Sequence, residues 1–199
     1  MNDTYKTISK PCEGFFKDKG SRFISYLYPV ETEEEVKDLL LKIKKEHHSA
    51  RHHCYAWRMG KEEIKFRAND DGEPSSTAGK PILGQLISYD ITNAVCVVVR
   101  YFGGTLLGVS GLINAYKQAA ADALNNADIE MRIIELDYQL NFSYNELNVV
   151  MQILKNENLE QKTIELLEHC RIVYSVRKSE AAHIEKIFGD IYGVRNVKL

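Results

Sequence analysis

The chain has 199 residues, 44% hydrophobic and 27% charged, with a formal net charge of −2. These proportions are those of an ordinary globular protein of one large or two small domains, and they exclude a strongly basic nucleic-acid-binding domain. The longest apolar run, Ala94 to Val99, is far short of the roughly 20 residues that cross a bilayer, and the N-terminus lacks a basic flank and apolar stretch, so a cytoplasmic protein without a leader is expected.

Strand character appears first at Lys6–Ile8 and at Ser21–Val30, where Phe23, Ser25 and Leu27 alternate with Ile24, Tyr26 and Tyr28; Gly20 marks a turn between them. Thr32 followed by Glu35 reads as a capping box, and Val36, Leu40, Ile43 and His47 fall on one face, which predicts an amphipathic helix over 32–47. Residues 52–59 and 62–68 read as paired strands joined at Gly60-Lys61. The segment Asn69 to Pro81 has loop chemistry, and a helix is expected over 81–90.

Ala94 to Val99 is apolar on both faces, as in a central strand covered from both sides. A long alanine-rich helix is expected over 109–126, with Leu112, Ala115, Tyr116, Ala119 and Ala123 as its packed stripe. Asn125 to Asp128 is the expected boundary, giving domains 1–128 and 129–199. Beyond it, Ile134, Leu136, Tyr138, Leu140 and Phe142 alternate with polar residues. A helix at 145–156, strands at 161–167 and 170–177, a helix at 179–188 and a strand at 191–198 complete a βαββαβ order, the ferredoxin-like split βαβ. The fold class expected is α+β.

Cys12, Cys54, Cys96 and Cys170 are widely spaced and form no CxxC pair, so neither a disulfide framework nor a zinc site is expected. Lys and Arg against Asp and Glu number 17 and 17 in residues 1–128 and 9 and 11 in 129–199, so any contact with RNA must use a local patch.

The strings RHHCYAW (51–57), RANDDGEPSSTAGKPILGQL (67–86) and VVVRYFGGTLLGVSGLINAYKQAA (97–120) resemble the signature of the IMPACT/YigZ family, in its bacterial two-domain form. The resemblance implies an N-terminal domain like elongation factor G domain IV and the related ribosomal-protein domains, with helices against one face of a mixed sheet. It implies a C-terminal domain similar to the last domain of elongation factor G. Eukaryotic relatives act in the control of translation initiation through an additional N-terminal interaction domain. A non-enzymatic role near the translation machinery is therefore the leading expectation, with the ribosome, RNA or a translation factor as partner. The resemblance does not carry the older attribution of dipeptidase chemistry to these residues.

Three constellations hold chemistry. Asp70, Asp71 and Glu73 lie within four residues, beside Ser75, Ser76 and Thr77. They suit a hard cation or acid–base work, and equally suit turn and cap roles. The alternative function is thus a small metal-assisted hydrolase or phosphate-handling enzyme built on this loop. A triad of Ser75 or Ser76 with His52 and Asp70 lacks a nucleophile-elbow sequence, so no catalytic residue is assigned. His52 and His53 point to opposite faces of a strand, and no metal or cofactor is expected.

The second constellation is Thr77, Gly79 and Lys80 before one helix with Arg100, Gly103 and Gly104 before another. Backbone amides at helix starts with a nearby cation can hold a phosphate, although neither a Walker A nor a GxGxxG spacing is complete. The third is a basic and aromatic strand pair, where Arg67 and Lys65 share a face while His52 and Arg58 lie opposite Tyr55 and Trp57. Arg67, Thr77, Gly79, Lys80, Arg100, Gly103 and Gly104 are the expected anion-binding or nucleic-acid-binding set.

Overall fold

In the computed structural model, which describes residues 3–199, the predicted alternations become two packed units, Tyr5–Arg132 and Ile133–Leu199 together with residues 3–4. Among the described residues the architecture is α+β, with five α-helices and three sheets. β1 (Thr4–Ile8) pairs with β7 (Ile129–Ile133) in a two-stranded sheet.

The main sheet of the first unit joins β2 (Cys12–Asp18), β3 (Ser21–Pro29), β4 (His52–Met59), β5 (Lys65–Asn69) and β6 (Ala94–Tyr101) in the order β2-β3-β6-β4-β5. β6 occupies the centre because its side chains are apolar on both faces. Every strand pair in this sheet is antiparallel, which corrects the expectation of a mixed sheet there. A parallel contact does occur outside it, as the isolated bridge between Lys6 and Ile91.

Helices cover both faces, not one. Phe23, Leu27, Cys54, Ala56, Cys96 and Val98 pack against α2 (Gly79–Ser88) and α3 (Gly108–Asn125). Tyr26, Trp57, Val95, Val97 and Val99 face the other way and bury Val36 and Ile43 of α1 (Glu33–Glu46). The reason lies in β6 itself: a strand with valines on both sides needs a cover on each. α1 starts at the expected capping box, with Glu35 N donating to Thr32 Oγ1 at 3.2 Å and Thr32 N to Glu35 Oε2 at 3.3 Å.

The second unit follows the order β8 (Glu135–Ser143), α4 (Leu147–Asn156), β9 (Glu160–Glu165), β10 (His169–Arg177), α5 (Ala181–Gly189) and β11 (Arg195–Lys198). Its sheet runs β11-β8-β10-β9, with each neighbouring pair antiparallel. Tyr138, Leu140 and Phe142 of β8 bury their side chains with Val150, Leu154, Ile184 and Phe188 from the two helices. Asp3 belongs here because its carboxylate accepts from Arg177 Nε at 2.5 Å, which holds the carboxyl well below its ordinary range.

Candidate functional site

Ala94, Cys96 and Val98 face α2 and α3, and Arg100 is the next β6 residue on that side. A cation placed there continues a buried face and must find a counter-charge. It finds Glu73: Arg100 Nη1 donates to Glu73 Oε1 at 2.6 Å, with side-chain exposures of 7% and 3%. Tyr116 of α3 donates its hydroxyl to the same oxygen at 2.8 Å. The Cys54 sulfur lies 3.3 Å from the Tyr116 hydroxyl and 3.0 Å from the Asp70 carbonyl oxygen. The guanidinium carbon stands 5.6 Å from the ring centroids of both Phe23 and Phe102.

This buried network fixes protonation states. Burial, followed by the neighbouring Cys54 and Glu73, pushes the Tyr116 hydroxyl far above its ordinary range, so it remains a donor. Burial likewise pushes the Cys54 thiol well up, which removes it as a nucleophile at neutral pH.

The carboxylates of the acidic loop go to three different places. Asp70 accepts from Ser76 N at 2.8 Å, Ala78 N at 3.0 Å and Gly79 N at 2.8 Å, and so caps the start of α2 from a distance. Asp71 accepts from His53 N at 2.7 Å and Lys44 Nζ at 3.1 Å. Glu73 turns inward to Arg100. For Asp70 and Asp71, burial acts to raise the pKa but is outweighed, by the three amides in one case and by His53 N and Lys44 in the other, and both carboxyls are held below 3.8. Among the described residues no group of three His, Cys, Asp or Glu is placed to hold a metal ion. His52 does not approach a serine hydroxyl: its Nδ1 donates to the Asp71 carbonyl at 2.9 Å.

The expected anion-binding set divides by exposure. Thr77 is buried, its hydroxyl donating to the Pro74 carbonyl at 2.6 Å. Gly79 is buried where a Cβ would stand 2.6 Å from Asn69 N, a packing requirement. Gly103 presses on Gly20 and donates its N–H to Ser21 Oγ at 3.1 Å, whereas Gly104, at φ +87°, faces open space. Arg67 on the edge strand β5 and Lys80 at the start of α2 are exposed. The sequence candidates brought together are therefore Asp70 with Gly79, and Glu73 with Arg100.

Sequence reasoning missed what surrounds Arg100. Tyr116 stands out in the sequence only as part of the packed stripe of α3, and Cys54 only as one of four widely spaced cysteines. A cavity of about 470 Å³ opens beside Arg100 and Glu73, walled by Phe102, Leu106, Leu107, Val109 and Leu112. The available signal was two leucines, Leu106 and Leu107, placed in a loop between glycines.

These features define a two-unit α+β protein organised about a buried arginine–glutamate pair at the mouth of an apolar cavity. The family model of the Impact N-terminal domain matches residues 19–124. An IMPACT family member of Haemophilus influenzae is 40% identical over 144 residues, covering 71% of this chain and 70% of that protein. IMPACT family member YvyE of Bacillus subtilis is 34% identical over 180 residues, covering 90% and 83%. The crystal structure of a hypothetical protein is similar at a TM-score of 0.74 and 27% identity, covering 100% of this chain and 98% of that one. The chain belongs to the IMPACT family.

Proposed function

We propose that this chain is a translation-associated regulator, without catalytic activity of its own, that binds RNA, the ribosome or a ribosome-associated factor. The observation that carries the reading is membership of the IMPACT family, whose domain model matches residues 19–124. On this reading residues 1–128 form an IMPACT-type domain resembling elongation factor G domain IV, and residues 129–199 a ferredoxin-like domain. The βαββαβ order and the strand order β11-β8-β10-β9 support the second assignment. The exposed cations Arg67 and Lys80 and the exposed Gly103-Gly104 loop are the contact points for phosphate. Arg100 is buried and paired with Glu73, so its part is to hold the acidic loop in place rather than to contact phosphate.

The test is ribosome co-sedimentation over a range of salt, with an Arg67→Ala/Lys80→Ala variant alongside. Both side chains are exposed, so the variant keeps its fold and reports contact alone. Co-sedimentation that weakens with salt and is further reduced in the variant is the expected result. Absence of co-sedimentation at low salt rejects the reading.

A further inference from the structure

The cavity beside Arg100 combines three features that a packing role alone leaves without a purpose. The first is an unmet donor. Arg100 is 6% exposed, its Nη1 is engaged by Glu73, and its Nε is buried with no hydrogen-bond partner. A buried polar atom of a charged group left unpaired is costly, and Arg100 is one of the residues that line the cavity. The second is an uncapped helix start. α3, 18 residues long, begins at the cavity wall with Leu107 as N-cap and no side chain accepting from its first amides. Those free N–H groups and the helix dipole favour a negative charge. The third is the wall. Phe102, Leu106 and Val109 are 52%, 82% and 59% exposed around a space of about 470 Å³, an apolar concavity open to solvent.

We infer that this cavity is a binding site for a carboxylate carried on an apolar body, the carboxylate meeting Arg100 and the α3 amides and the body lying against Phe102, Leu106 and Val109. The charge inventory selects a single negative charge. Arg51 and Arg100 contribute two positive charges and Glu73 one negative, so a multiply charged phosphate would meet Glu73 without enough compensation. The flat edge of a guanidinium matches the two oxygens of a carboxylate. The same chemistry is offered by a free aliphatic acid and by the C-terminal carboxylate of an apolar peptide. This site does not depend on a translation partner, and its test uses no ribosome.

Calorimetric titration of the full chain separates the possibilities. The probes are octanoate, acetate, octanamide, and a short peptide ending in leucine as its free acid and as its amide. Saturable binding of octanoate or of the peptide acid is expected, weakened by roughly an order of magnitude or more in the uncharged analogue. Octanoate alone identifies a free acid as the ligand, and the peptide acid alone identifies a chain terminus. Leu106→Glu places a second negative charge on the exposed wall without touching the core, and should abolish binding while the circular dichroism spectrum is unchanged. Arg100→Gln should also abolish it, read only if the variant is folded. No saturable binding of either acid overturns the inference. So does equal binding of octanoate and octanamide, or of octanoate and acetate, or binding that survives Leu106→Glu.

Discussion

Arg100 stands where β6 would otherwise continue its apolar face, and its interior position sets what substitution there should do. In Arg100→Ala the Glu73 carboxylate stays buried with only the Tyr116 hydroxyl for company, and a loss of about 3–5 kcal/mol is expected from urea unfolding. Arg100→Met with Glu73→Leu removes both charges and should recover most of that loss, because the pair offsets its own desolvation rather than adding much beyond it. An Arg100→Ala variant as stable as the parent would contradict the buried-pair account.

The titratable residues of the same region predict a two-step acid response. His53 is held below 6.5, first by burial, so its neutral form is the one the fold favours. Its contribution is complete above pH 6.5 and is lost as pH falls toward the lower folded value. Asp70 and Asp71 are held below 3.8, and their contribution is complete above that pH and lost on further acidification. The urea midpoint should therefore decline first below about pH 6.5 and again below about 3.8, and His53→Gln should remove the first decline alone.

At the scale of elements, the close approach of α3 to β2 decides which residues are replaceable. A Cβ on Gly14 would overlap the backbone nitrogen of Ala123, so Gly14→Ala forces α3 away from the sheet it covers. A destabilisation of about 1–3 kcal/mol follows, measurable as a lowered unfolding midpoint. Gly84→Ala is the control, since a Cβ there meets nothing within 4 Å and helix propensity favours alanine.

The same glycine explains part of what the sequence concealed. β2 alternates Cys12, Gly14 and Phe16 inward with Glu13, Phe15 and Lys17 outward, but its central inward residue has no side chain to register in a hydrophobic pattern. β7 was hidden for a different reason: four of its five residues are exposed, so it has no buried face to read. α1, β6, α3 and β8 were legible because one or both of their faces are buried along their whole length, and capping chemistry marked the start of α1. The candidate site was legible only as separate residues. Glu73 and Arg100 each stood out, but their pairing links a loop to a strand end 27 residues away, which no local periodicity encodes. The cavity was less visible still, because it is made by a turn that aims Leu106 and Val109 outward beside a buried cation.

At the scale of the whole molecule, the buried apolar residues described fall into clusters that each draw on one unit. The clusters around Phe23 and Val97 draw on residues of the first unit, and the cluster around Leu140 and Tyr174 on the second. A cavity made in one core should therefore be felt first by the strands and helices that line it. Leu140 is fully buried between β11 and β10, where it opposes Asn196 and Ile172. Leu140→Ala is expected to cost about 2–5 kcal/mol within the second unit. Hydrogen exchange should then accelerate for amides of β8, β10, α4 and α5 and stay unchanged for β3 and β6. Val97→Ala should produce the reverse pattern at a smaller cost of about 1–3 kcal/mol, since fewer methyl groups are removed. If either substitution accelerated exchange equally in both sets of amides, the two cores would have to open as one cooperative unit, and the separate-core account would be overturned.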